Sequence, residues 1–327
     1  MRSESRPMQR REFLHETLRL GSLSAAGAAA AACMTGRCRS ADESRVMALD
    51  RSSGVAADPG LPELIVAHGD DPRALVRRAL DELGGIARFV SRGDVVVVKP
   101  NIGWNRTPEQ AANTNPDLVA EVVRMCMDAG AKKVIVTDVS CDDAEDCFYR
   151  SGIGVAAHAA GAEVVLPESR LFRKVRLKGE ALGVWPVLEP FIMADKVINV
   201  PIAKHHSLTG VTLGMKNWLG ILGGWRFRVH MGIQEKVVDL AESMQPALTI
   251  IDAYRVLLRN GPKGGNPKDV DLRKTLIAST DPVAADAWAA KAFWNLDHTR
   301  LPYLRLAQDR GLGKMNTEAV RTLTLKL

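Results

Sequence analysis

Val197-Ile198-Asn199-Val200-Pro201-Ile202-Ala203-Lys204-His205-His206 is the stretch on which the reading of this chain turns. A short apolar, β-branched run leads straight into a lysine and two histidines. The construction recurs four more times. Val95-Val96-Val97-Val98 leads into Lys99-Pro100-Asn101, and Val134-Ile135-Val136-Thr137 into Asp138. Leu248-Thr249-Ile250-Ile251 leads into Asp252, and Thr275-Leu276-Ile277-Ala278 into Ser279-Thr280-Asp281. Short Val/Ile runs separated by helix-like segments read as parallel strands buried on both faces. In open α/β sheets, ligands sit beyond the carboxyl ends of such strands. Lys99, Asn101, Asp138, Lys204, His205, His206, Asp252 and Asp281 would then share one edge of the sheet. Any one of them could follow a strand merely because loops are wet. Taken together they point to a site.

The intervening segments support this alternation. Asp71-Pro72 opens a helix with Leu75, Ala79, Leu80 and Leu83 at helical spacing, ended by Gly84-Gly85. Asn115-Pro116-Asp117 caps another, carrying Leu118, Val119, Val122, Val123 and Cys126 to a stop at Gly130. Residues 171–188 read as a hairpin insertion, and two helices are expected at about 208–222 and 229–244. The fold class is therefore α/β: a mainly parallel sheet with helices on both faces, in one body or two lobes.

Hydrophobic content of 46% and charged content of 25% are ordinary for a globular chain of 327 residues. The net charge of +6 is misleading, because seven arginines against three glutamates fall in the first 40 residues, leaving about +2 for the rest. With 5% aromatic residues and no basic stripe among them, nucleic-acid binding is not indicated. The body of the chain contains no apolar run of transmembrane length.

The N-terminus reads as an address. Arg10-Arg11-Glu12-Phe13-Leu14 has the pattern of a twin-arginine export signal, followed by an uncharged, Ala- and Gly-rich stretch from Leu20 to Ala32. That route carries proteins already folded, so the export machinery is an expected partner and the location is periplasmic or otherwise extracytoplasmic. A lipid anchor at Cys33 is disfavoured, since Ala30 stands where such sites usually have Leu. The expected organisation is a signal segment over 1–33, a flexible linker over 34–61 and a single α/β domain over 62–327. The five cysteines form no iron–sulfur or structural zinc pattern. Cys141 and Cys147 either pair across a loop or remain free thiols.

The densest polar segment runs from Lys204 to Asn217. As a helix it would align His205, Thr209, Thr212 and Lys216 on one face, a cradle for a carboxylate or phosphate. A solvated helix face is the competing reading. Gly210, Gly214 and Gly220 argue for close packing or close ligand approach instead.

Together these residues resemble the DUF362 family, a domain of unknown function. The resemblance rests on Val98-Lys99-Pro100-Asn101, Asn113-Thr114-Asn115-Pro116, Asp138, Lys204-His205-His206, Thr212, Lys216-Asn217, His230 and Asp252. It continues through Gly261-Pro262-Lys263-Gly264-Gly265 and Asp281-Pro282-Val283-Ala284-Ala285-Asp286, and spans roughly residues 63–325. It implies His206, rather than His205, as the family's site histidine. Many relatives carry a ferredoxin-like cysteine domain, a pattern missing from this sequence. The resemblance implies a fold and a site without a reaction or a named cofactor.

The leading functional expectation is an enzyme or cofactor-dependent protein acting on a small anionic ligand. His206, Lys216 and Asp252 are the candidate catalytic residues. Lys99, Asn101, Asp138, Lys204, Thr209, Thr212, Asn217 and Gly264 are the candidate ligand contacts, Gly264 through backbone amides of its loop. His206 and His230 are the candidate metal ligands. A non-catalytic exported binding protein is the alternative. Lys99, Lys204 and Lys216 are expected to converge on one crevice, held together against their own repulsion by an anion or by nearby aspartates.

Overall fold

The computed structural model describes residues 8–13, 46–52 and 54–327. Leu20–Ala32, Cys33, Cys38 and the first part of the expected linker lie outside the described residues. Arg10–Phe13 forms a helical turn. Arg10 is ion-paired with Asp146 at 2.8 Å, and the Phe13 ring is fully buried.

Among the described residues the strands are β1 (Leu64–His68), β2 (Val95–Pro100), β3 (Lys133–Val136), β4 (Glu163–Val164), β5 (Phe172–Arg176) and β6 (Val184–Leu188). They continue with β7 (Lys196–Val200), β8 (Ile202–His206), β9 (Gly210–Thr212), β10 (Leu248–Leu257), β11 (Val270–Ser279) and β12 (Thr322–Lys326). The main sheet has the order β12-β1-β11-β10-β7-β2-β3-β4, with β8 added to the far half of β10 and β9 to β8. The five apolar runs that suggested the fold are its five adjacent central strands. β5 and β6 form the separate hairpin expected at 171–188.

Alternate residues of each strand bury into different helical layers, which is why the runs are continuously apolar. Val97 and Val197 pack in the layer with Val237, Leu240, Ala284 and Leu304, from helices Ile233–Met244, Pro282–Trp294 and Pro302–Asp309. Val96, Val98 and Ile198 pack in the opposite layer with Leu75, Leu118 and Ile153, from helices Pro72–Glu82, Pro116–Asp128 and Ile153–Ala159. Each such side chain contributes about 1.5–3 kcal/mol on leaving water. Three helices begin as the Asx-Pro dipeptides require: Asp71, Asn115 and Asp281 each accept a backbone N–H of the first turn, and proline follows each.

Two expectations are corrected. β11 pairs antiparallel with both β10 and β1, so its carboxyl end points away from those of β2, β3, β7 and β10. Asp281 therefore stands at the opposite edge of the sheet, where it caps its helix. The second correction concerns 208–222, which is not a helix. Lys204 pairs with Thr212, His205 with Val211 and His206 with Gly210, in a tight hairpin. Gly210 turns it at φ +76°, a conformation β-carbon-bearing residues resist, and Thr209 closes it by donating its hydroxyl to the Val211 carbonyl at 3.0 Å. Only Gly214–Asn217 is α-helical. The expected common face of His205, Thr209, Thr212 and Lys216 does not exist.

Asp286 fixes where this short helix begins. Its Oδ1 accepts the Gly214 N–H at 2.7 Å, its Oδ2 accepts the Met215 N–H at 3.0 Å, and the Tyr303 hydroxyl adds a third donor at 3.3 Å. Burial pushes the Asp286 carboxyl up to about 7, while these donors favour its ionised form. Asp286→Ala should orphan two buried N–H groups and cost about 2–5 kcal/mol in urea unfolding. An unchanged midpoint would show that the carboxylate does not hold the turn.

Candidate functional site

The carboxyl ends of β2, β3 and the consecutive strands β7 and β8 open onto one cavity of about 420 Å³. It receives Asn101, Asp138, Lys204, His206, Thr212, Lys216, Asn217 and His230 of the residues read from sequence. Lys99, Asp252, Thr209 and Gly264 do not line it.

Lys99 lies beneath the cavity, fully buried, and donates to Asp138 Oδ1 at 2.7 Å and to the Pro100 carbonyl at 3.0 Å. The other Asp138 oxygen accepts the Ile102 N–H at 2.6 Å. Burial lowers the Lys99 ammonium from the usual lysine range, and Asp138 opposes that shift. Gly220 covers the pair so closely that an added Cβ would stand 1.9 Å from Asp138 Oδ1. This explains one glycine of the 204–220 segment by close approach.

Above this pair runs a chain of amides with a single direction. Lys204 Nζ donates to Asn101 Oδ1 at 2.9 Å and to the Ala112 carbonyl at 2.5 Å. Asn101 Nδ2 donates to Asn217 Oδ1 at 3.0 Å, and Asn217 Nδ2 to Asn199 Oδ1 at 2.9 Å. Asn199 Nδ2 ends the chain on the Gly214 carbonyl at 2.8 Å. Each asparagine is thereby fixed in one orientation. Burial and the nearby Lys216 charge lower the Lys204 ammonium to about 7.

Lys216 differs from the other lysines. It is only 8% exposed and lines the cavity, yet among the described residues its ammonium has no hydrogen-bond or ion-pair partner. Burial lowers it to about 8. The Thr212 hydroxyl, on a side chain 3% exposed, is likewise buried without a partner at the cavity wall. His206 Nδ1 accepts the Leu208 N–H at 3.1 Å, so the neutral ring carries its proton on Nε2. Burial first, then the Lys216 and Lys204 charges, push this ring down to about 2. His230 stacks on it with centroids 6.2 Å apart and is lowered by burial and Lys216. Among the described residues no group of three His, Cys, Asp or Glu is placed to hold a metal ion.

The remaining expected residues have other work. Asp252 accepts the Asn115 N–H at 2.7 Å and the Tyr254 N–H at 3.0 Å, which pins helix Pro116–Asp128 to β10. Burial raises its carboxyl to about 6. Gly264 packs on Leu257, and from the Gly261–Gly265 loop only Pro262 reaches the cavity. The Gly261 N–H is occupied by His205 Nδ1 at 3.1 Å. Cys126, Cys141 and Cys147 are free thiols, and Cys141 lies at the cavity wall.

Three residues outside the sequence reading of the site complete it. Arg226 lines the cavity, its guanidinium held by the Val139 carbonyl at 2.6 Å and by the Ser140 carbonyl. Asn199 and Asp286 orient the helix that carries Lys216. An Asn inside an otherwise apolar strand run was the available signal for Asn199. Nothing in the local pattern marked Arg226.

The chain belongs to the DUF362 family, a domain of unknown function, whose profile matches residues 96–291. A thylakoid-associated protein of Synechocystis sp. is 30% identical over 267 residues, covering 77% of this chain and 78% of that protein. Among solved structures, the lactate racemase apoprotein of Thermoanaerobacterium thermosaccharolyticum is similar with a TM-score of 0.39 and 13% identity, over 69% of this chain. A Thermotoga maritima protein is similar with a TM-score of 0.39 and 12% identity, over 70% of this chain. The chain spans 56% and 61% of the lengths of these two structures.

An unpartnered buried ammonium destabilises the fold that contains it. Lys216→Met should therefore raise the melting temperature, by roughly 2–5 °C at pH 7. The sign follows from the lowered folded-state value: the penalty is largest below about pH 8 and fades as pH rises toward the ordinary lysine range. The gain should shrink accordingly at pH 10. A Lys216→Met protein less stable than the parent at pH 7 would show that this amine is satisfied in the fold.

Proposed function

We propose that this DUF362 protein is exported by the twin-arginine route and acts outside the cytoplasm on a small anionic molecule bearing a carboxylate or phosphate. On this reading residues 1–33 are the signal, 34–61 a linker and 62–327 the working domain. The observation that carries the ligand class is Lys216, a residue 8% exposed at a cavity wall whose ammonium has no counter-ion among the described residues. The one carboxylate at that cavity, Asp138, is already neutralised by Lys99. Lys204 and Arg226 add positive charge to the same space. A ligand anion supplies what the fold lacks, with the Thr212 hydroxyl as a further donor.

His206 and Lys216 are the groups suited to chemistry. Lys216 is close enough to neutrality to exchange a proton at working pH. His206 presents an Nε2–H donor that stays neutral beside two lysines. Asp252 is a positioning residue in this scheme. Among the described residues no helix is long and apolar enough to cross a membrane. The relative named as thylakoid-associated fits a protein working beside a membrane.

Binding should depend on pH through the lysines. Acetate and inorganic phosphate should raise the melting temperature relative to matched chloride. The acetate effect should be greatest near pH 6 and decline toward pH 9, as Lys204 and then Lys216 lose their protons. No stabilisation by either anion at any of these pH values would refute the anion pocket. The export reading is tested separately by converting Arg10 and Arg11 to lysine, which should leave the precursor in the cytoplasm. Unimpaired export of that variant would overturn it.

A further inference from the structure

We propose that Lys216 is a catalytic amine that captures the carbonyl carbon of a small 2-oxo acid as an imine, while Lys204 and Arg226 hold its carboxylate. The inference rests on the anion-pocket reading and adds the chemical class of the substrate. Three cations border one cavity, and they are not equivalent. Lys204 is committed to Asn101 and the Ala112 carbonyl, and Arg226 to the Val139 and Ser140 carbonyls. Both are anchored hydrogen-bond donors, suited to fixing a carboxylate. Lys216 has no such commitment and its nitrogen is free to approach a bound atom.

The surroundings also favour its neutral form. The Lys216 amine lies in a desolvated site, an arrangement that makes a lysine nucleophilic. Burial brings it to about 8, so a useful fraction is unprotonated near neutral pH. An amine that is to form an imine must meet a carbonyl, and the anchored cations demand an anion. A carboxylate adjacent to a ketone satisfies both within a cavity of about 420 Å³.

The step balances without any redox partner. The Lys216 nitrogen lone pair forms the C–N bond as the C=O π pair moves onto oxygen, where the His206 Nε2–H is placed as a neutral donor. Two protons from nitrogen end on that oxygen. It leaves as water as the C=N bond forms. The Thr212 hydroxyl, unpartnered at the same wall, is available to hydrogen-bond the carbinolamine.

The test traps the imine in the full-length protein with pyruvate and sodium cyanoborohydride, which reduces it to a stable secondary amine. Peptide mapping then locates the carboxyethyl group. Lys216 should be modified roughly tenfold or more faster than exposed lysines such as Lys268 at pH 7.5, because its free-amine fraction is larger. Acetate, an anion without a ketone, should slow the labelling by competition, and acetone, a ketone without an anion, should show a clearly smaller excess at Lys216 than pyruvate does. Lys216→Arg should remove the fast site. Labelling of Lys216 at only the surface rate, or fast labelling at Lys204 instead, would overturn the assignment. If acetate still stabilises the parent protein in that case, the imine fails and the anion pocket stands. Loss of both effects removes the pocket reading as well.

Discussion

The buried ion pair between Lys99 and Asp138 is the contact on which the site depends. It joins the ends of two neighbouring parallel strands, and through the Ile102 N–H it also fixes the chain as it leaves β2. Two charges removed from water would cost several kcal/mol each if unpaired, so the geometry of this contact is tightly constrained. Breaking it from one side leaves the other charge stranded, typically at a cost of about 3–5 kcal/mol. Its second consequence is electrostatic. By consuming the carboxylate nearest the cavity, Lys99 leaves Lys204, Lys216 and Arg226 without a protein anion to balance them. The cavity is therefore cationic because a lysine under its floor is satisfied.

That arrangement required the chain to break its own pattern after β7. A helix following the strand, as in an ordinary β-α unit, would have carried Lys204 away along its axis. Pro201 interrupts the ladder, and β8 resumes beside the far half of β10, so the strand direction continues past the sheet edge. The β8–β9 hairpin then returns Thr212 opposite Lys204. One tight turn thus places a lysine, a histidine and a threonine around the same space. The asparagine chain from Lys204 to the Gly214 carbonyl ties that hairpin to the helix bearing Lys216, and Asp286 holds the same helix from the other side. Lys216 is presented by a short element gripped at both its ends.

What was legible in the sequence was the part governed by local rules. Continuous Val/Ile runs marked the central strands, and Asp-Pro or Asn-Pro dipeptides marked three helix starts. The convergence of Asn101, Asp138, Lys204 and His206 followed from strand polarity, whereas Thr212, Lys216 and Asn217 reach the cavity through the β8–β9 hairpin and the short Gly214–Asn217 helix rather than along the expected long one. Strand direction itself was not legible. β11 has the same apolar run as its neighbours but lies antiparallel, and nothing within Thr275–Ala278 encodes its partner's direction. The hairpin's return strand lies within the segment 204–217, whose polar residues recur at helical spacing and so suggest a helix. Gly210 and the β-branched Val211 and Thr212 were the contrary signals. Arg226 was invisible for a different reason: its role depends on two carbonyls in a loop some 86 positions earlier.

The same physics explains why Asp252 and Lys216, both buried and both shifted, are not alike. Asp252 is surrounded by backbone donors, and its burial is compensated where it stands. Its environment is that of a structural clamp. Lys216 is also largely removed from water, at 8% exposed, but among the described residues its ammonium has no hydrogen-bond or ion-pair partner. A fold under selection only for stability would replace such a group with a hydrocarbon side chain, as exchanges of buried ionic groups for packed apolar ones show elsewhere. Retaining an uncompensated ammonium is intelligible when its counter-charge arrives from outside. The difference between the two residues is thus one of partners rather than of depth, and it is what separates scaffold from site in this molecule.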